Sequence, residues 1–209
     1  MKHVIEQSIL QTIAFFDVFN YPLTAEEIWK WLYRPGRKVR LSEVKDLLEN
    51  SDTLSKEIVR TEAFYSLQDR EYTHLIRKHH NNLAERKFAR ALRLVRIYKY
   101  LPFIKMIAIS NTLAYSNAGE ESDIDFFVIT AKKRIWIVRF FTIMLIYFFG
   151  MRPKNGHIRD AFCLSFFISE DNLNIQRIMI SSKDIYSPYW VRQLLPVYNV
   201  DNTYQKFLK

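Results

Sequence analysis

The stretch Ile107-Ala108-Ile109-Ser110-Asn111-Thr112-Leu113-Ala114-Tyr115-Ser116-Asn117-Ala118-Gly119-Glu120-Glu121-Ser122-Asp123-Ile124-Asp125-Phe126-Phe127-Val128-Ile129-Thr130 decides how the rest of the chain is read. Its apolar opening reads as a strand and Ser110-Asn111-Thr112 as a small-residue turn into a short helix. The polar run to Ser122 reads as a loop, and the remainder as a second apolar strand that starts with two carboxylates. Alternate side chains of an extended strand share a face, so Asp123 and Asp125 are expected to point the same way while Ile124 enters the core. Two carboxylates at one strand edge invite a divalent cation, Mg²⁺ or Mn²⁺, which takes oxygen ligands.

An apolar strand, a small-residue turn, a spacer and an Asp-x-Asp strand together resemble the nucleotidyltransferase superfamily, the polymerase-beta-like fold. The family's Gly-Ser or Gly-Gly pair falls on Asn111-Thr112, its spacer on Leu113 to Ser122, and its Asp-x-Asp on Asp123, Ile124 and Asp125. The resemblance implies a mixed sheet with helices in an α/β (α+β) domain that binds a nucleoside triphosphate. Mg²⁺ or Mn²⁺ would be held by Asp123 and Asp125, and a nucleoside monophosphate would pass to an acceptor. It further implies that Ser110, Asn111 and Thr112 line the phosphates, with Lys132, Lys133 and Arg134, the basic turn after the Asp-x-Asp strand, as further phosphate contacts.

Two departures from the family pattern qualify what it implies. Asn111 stands where the family has Gly, and Thr112 where it has Ser. Asn enters the left-handed region more readily than most residues, and Thr keeps the hydroxyl. The family's usual third carboxylate belongs on the next strand, Phe162 to Ser169, whose interior holds Ser165 and no acid. Asp160 before it and Glu170-Asp171 after it are the nearest. A degenerate member that binds a nucleotide or a partner protein without chemistry is therefore a second reading.

The chain's 209 residues, 49% hydrophobic and 25% charged, describe a globular protein with ample core for one large domain or two small ones. A single cysteine, Cys163, rules out an internal disulfide and suits a reducing cytoplasm, and Met1 to Leu10 lacks the apolar core of a secretory signal. The net charge is +9, and much of the excess lies between residues 76 and 99. Arg77, Lys78, Arg86, Lys87, Arg90, Arg93, Arg96 and Lys99 face only Glu85 there. A triphosphate, RNA or another polyanion is the natural partner of such a surface, so a basic nucleic-acid adaptor is a third reading.

Upstream, Ile5, Ile9, Ile13 and Phe16 mark a first helix that stops near Asn20-Tyr21-Pro22. Thr24-Ala25-Glu26-Glu27 is a capping box for a second helix, a third runs from Leu41 to Asn50, and residues 57–60 and 63–67 read as a hairpin. Three helices and a hairpin look like a winged helix over residues 1–70. The outward Glu43, Asp46 and Glu49 of the third helix have the wrong sign for phosphate, favouring a structural or protein-docking role over DNA binding.

Residues 71–101 read as a basic linking helix that buries Ala84, Phe88, Ala91, Val95 and Tyr98, and residues 102–209 as the nucleotidyltransferase-like domain. His74, His79 and His80 point to different helix faces and suggest no metal site. Ile135 to Phe149 is nearly all apolar but shorter than the roughly 20 residues of a membrane span. It also carries Arg139 and reads as a buried helix packed on the sheet, closed by Gly150 and Arg152-Pro153. Residues 172–209 read as one or two short helices broken at Pro188 and Pro196, with Tyr186, Tyr189, Trp190 and Tyr198 either stacking on a base or covering the core.

Overall fold

Thr24 and Glu27 close a reciprocal capping box, the Thr24 hydroxyl accepting the Glu27 amide and the Glu27 carboxylate accepting the Thr24 amide at 2.9 Å. This box starts α2 (Ala25–Trp31) in a computed structural model that describes residues 2–151, 159–175 and 184–209. The chain divides into two compact units, residues 1–79 and 80–209.

In the first unit α1 (Lys2–Asp17) is followed by α2, α3 (Leu41–Asn50) and α4 (Asp52–Glu57), then by an antiparallel hairpin of β1 (Ile58–Thr61) and β2 (Phe64–Leu67). Helix α4 was not expected from the sequence. The Ser51 hydroxyl accepts the Leu54 amide and restarts the helix one residue after α3 ends. The core takes Ile5, Ile9, Ile13 and Phe16 from α1, Ile28 from α2, Val44 and Leu47 from α3, and Tyr65 from β2. The Arg77 guanidinium grips both Glu27 carboxylate oxygens at 2.7 Å and lies 4.0 Å from the Tyr21 ring centroid. On α3, Glu43 pairs with Arg37 and Lys45 with Glu26, so the lysine of this helix is already matched by a carboxylate.

The second unit is a mixed four-stranded sheet with helices, consistent with the α+β class. Helix α5 (Thr73–Tyr98) begins in the first unit, and from residue 80 onward it lends Ala84, Ala91, Leu94, Val95 and Tyr98 to the core of the second. The succession continues through β3 (Ile104–Ile109), α6 (Asn111–Ala114), β4 (Ile124–Thr130), α7 (Ile135–Phe148) and β5 (Phe162–Ser169) to α8 (Tyr186–Gln193), β6 (Leu195–Asn199) and α9 (Thr203–Phe207). The sheet order is β5-β4-β3-β6, with β4 antiparallel to β3 and parallel to β5, and β6 antiparallel to β3. The two inner strands are buried on both faces: Ile107, Ile109, Phe126 and Val128 pack one core, and Met106, Ala108, Phe127 and Ile129 the other.

Three sequence expectations change here. Pro188 does not break a helix but sits in the first turn of α8, where a missing amide costs nothing. Pro196 lies in β6, an edge strand whose register shifts beside it, which is where a sheet tolerates proline. Helix α7 is not buried: only Val138, Thr142 and Ile146 are, while Trp136, Phe140 and Phe148 are largely exposed. Arg152-Pro153 and residues 176–183 lie outside the described residues.

Candidate functional site

Strand β4 begins at Ile124, so Asp123 sits one residue ahead of it and Asp125 one residue inside. Ile124 is fully buried, and the two carboxylates flank it on a common side. Across the parallel β4–β5 pair, Asp125 stands opposite Cys163, and ligand atoms of Asp123, Asp125 and Cys163 all lie within 4.8 Å of one another. Burial pushes the Asp123 carboxyl above the usual carboxylate range, and the Asp125 charge adds to the push. A hydrogen bond from Cys163 and the Lys87 charge oppose it only in part. A carboxylate pair in that condition gains from a cation between its members.

The turn opposite is built at the end of β3. The Ser110 amide donates to the Asp125 carbonyl at 3.1 Å, which pins the turn to the carboxylate strand. Asn111 then takes φ +55°, the left-handed conformation that glycine enters freely and asparagine better than most. Its side chain is held as well, Oδ1 accepting the Trp190 indole N–H at 2.9 Å. Ser110, Asn111 and Asp125 border a cleft of about 250 Å³ completed by Phe166, Ile175, Tyr186, Ser187 and Trp190. Burial, together with the Asp125 and Asp184 carboxylates, pushes the Tyr186 phenol up.

Of the residues singled out in the sequence, Ser110 and Asn111 border the cleft with Asp125, Thr112 follows them in α6 without lining it, and Lys132, Lys133 and Arg134 lie elsewhere. Five residue steps, about 17 Å at 3.3 Å each, carry the strand from Asp125 to Thr130, and the basic turn lies beyond that. There the Lys132 amide donates to Glu170, Arg134 stacks 4.7 Å from the Phe103 ring, and the Ser169 hydrogen bond, with the Lys132 and Lys133 charges adding to it, holds the Asp171 carboxyl low. Glu170 and Asp171 therefore sit at the wrong end of β5 to act as a third acid. Asp160 is engaged elsewhere, its carboxylate 2.9 Å from the Lys87 ammonium. Burial raises the Asp160 carboxyl, but the Lys87 hydrogen bond and the Lys87, Arg86 and Arg90 charges outweigh it and hold it below the usual range.

Lys87 itself departs from the expected basic face. It is fully buried and donates to the Glu120 and Ser122 carbonyls at 3.1 and 2.6 Å, bracing the loop that delivers Asp123. Cys163 carries no mark of a site residue in the sequence, because only the parallel register of β5 on β4 brings it opposite Asp125. Of the four C-terminal aromatics, Tyr186 and Trp190 line the cleft, Tyr189 is buried, and Tyr198 packs on the core. No family model, curated protein or solved structure matches the chain.

Proposed function

We propose that the second unit is a nucleotidyltransferase-like domain that transfers a nucleoside monophosphate from a nucleoside triphosphate to an acceptor hydroxyl. The observation that carries this reading is that Asp125, whose carboxylate lies within 4.8 Å of that of Asp123, lines a cleft together with Ser110 and with Asn111 in a glycine-like conformation. Asp123 and Asp125 would hold Mg²⁺ or Mn²⁺, and the donor set fits, being two oxygen ligands of which Asp123 is raised by burial and, after that, by the neighbouring Asp125 charge. Bound there, the metal supplies a counter-charge for the phosphates and lowers the pKa of a coordinated hydroxyl.

The chain's own residues do the rest. Ser110, Asn111 and Thr112 offer amides and hydroxyls to phosphate oxygens, and Trp190, fixed by its bond to Asn111, offers a ring face beside them. In the transfer, the acceptor oxygen bonds to the α-phosphorus, the bond from that phosphorus to the bridging oxygen breaks, pyrophosphate leaves, and the acceptor proton passes to solvent or a base. Lys132, Lys133 and Arg134 have no part in this arrangement.

One observation favours a second reading. Among the described residues the neighbour completing the aspartate pair is the Cys163 thiol rather than a carboxylate, which suits a protein that binds nucleotide without transferring it. Incubation with each of the four α-labelled triphosphates and a panel of small-molecule, protein and RNA acceptors separates the two. Transfer of label by the wild type and not by Asp123→Asn with Asp125→Asn supports the enzyme. Metal-dependent nucleotide binding with no pyrophosphate released supports the binding module, and equal labelling by both chains removes the site.

A further inference from the structure

Helix α7 has two apolar faces, and the protein covers one of them. Val138, Thr142 and Ile146 are buried, while Trp136, Phe140, Tyr147 and Phe148 are 81, 62, 56 and 82% exposed, with Ile137 and Met144 beside them. The turn after α5 extends this surface with Tyr100 and Phe103, 79 and 40% exposed. The Ala131 amide donates to the Phe103 carbonyl and Arg134 stacks on the Phe103 ring, so the two turns form a single rim at the start of α7. That rim is basic, carrying Lys99, Lys132, Lys133 and Arg134, with Glu170 and Asp171 as the acids beside it.

We propose that this surface docks on an anionic lipid bilayer, with α7 lying in the plane of the interface and the basic rim against the headgroups. Its 14 residues span about 21 Å at 1.5 Å each, short of the roughly 30 Å hydrocarbon core, and no described helix is long and apolar enough to cross a membrane. A helix of that length can rest at the boundary, where Trp and Tyr rings sit at headgroup level and aliphatic side chains dip below. The charge is complementary, because cations edging an apolar face meet the negative potential of an anionic leaflet. RNA would satisfy the cations and the rings of the rim but not Ile137, Met144 and Phe148 along the helix. A second copy would cover the helix and leave the basic rim without a counter-charge. This inference does not depend on the proposed transferase activity.

Flotation of the full chain with vesicles of phosphatidylcholine, and of phosphatidylcholine with phosphatidylglycerol, tests it. The wild type is expected to float with the anionic vesicles, less with the neutral ones, and to be released as salt is added. Trp136→Ser with Phe148→Ser should abolish flotation, and Lys132→Glu with Lys133→Glu should weaken the anionic partition by more than about tenfold. Both pairs replace exposed side chains, and circular dichroism and the thermal midpoint establish that the variants fold. Wild type that fails to float with either vesicle overturns the proposal, as does flotation unchanged by both pairs. Failure to float together with a concentration-dependent dimer dispersed by Trp136→Ser and Phe148→Ser assigns the face to a second copy. Failure to float with a salt-sensitive RNA shift assigns the rim to nucleic acid.

Discussion

Asp123 keeps its carboxyl above the ordinary range, and the sign of that shift makes a prediction. A carboxyl raised in the folded state favours folding in its protonated form, so that contribution is complete below the ordinary carboxylate range. It is lost as pH climbs through the raised value, and at neutral pH the ionised group opposes folding. Without added metal and with a chelator present, Asp123→Asn should melt above the wild type at neutral pH, the two midpoints converging in acid. A wild-type midpoint equal to or above the variant's at neutral pH would contradict the geometry. Lys87 makes the opposite case, since a fully buried ammonium joined to Asp160 and to the Glu120 and Ser122 carbonyls is costly to delete. Lys87→Met should lose about 3 kcal/mol in chemical denaturation. Arg86→Ala, removing an exposed partner 3.6 Å from the same Asp160, should lose less than about 1 kcal/mol. Equal losses would mean that the burial of Lys87 carries no weight.

Elements whose signals are local were the ones legible in the chain. The capping box at Thr24 and Glu27 states its own hydrogen bonds, and Thr24→Ala should cost about 1 kcal/mol of thermal or chemical stability, whereas Thr24→Ser should cost little. Strand β5 spans Phe162–Ser169 as its apolar run predicts, and α3 spans Leu41–Asn50. Elements fixed by neighbours were not legible. Pro196 argues against a strand until the sheet order makes β6 an edge, and α4 hangs on one Ser51 cap. Helix α7 misled for a different reason: apolarity all round predicts burial all round, and nothing in a single chain says which half of a helix its own fold will cover. The site divides the same way. Asp123, Asp125 and Asn111 announce themselves by spacing, whereas Cys163, Tyr186 and Trp190 reach it only through strand register and the placing of α8.

Across the whole molecule the net charge is +9, but the cationic run between residues 76 and 99 is less of a polyanion-binding face than the sequence suggests, because acids from elsewhere in the chain pair with part of it. Arg77 is committed to Glu27, Lys78 to Glu62 and Lys87 to Asp160, all within the run that reads as a basic stripe. Charge reversal at the exposed Arg93 and Arg96 should therefore lower any RNA affinity modestly and uniformly across sequences, as screened surface charges do, and filter binding across a salt series would record it. The account as a whole stands on two carboxylates presented beside a glycine-like turn as a seat for metal and polyphosphate. Electron paramagnetic resonance of free Mn²⁺, titrated with protein alone, reads the metal half of that seat without requiring turnover. The free-Mn²⁺ signal should fall to a one-to-one endpoint with the wild type and stay undiminished with Asp123→Asn plus Asp125→Asn, and equal uptake by both proteins would contradict the claim.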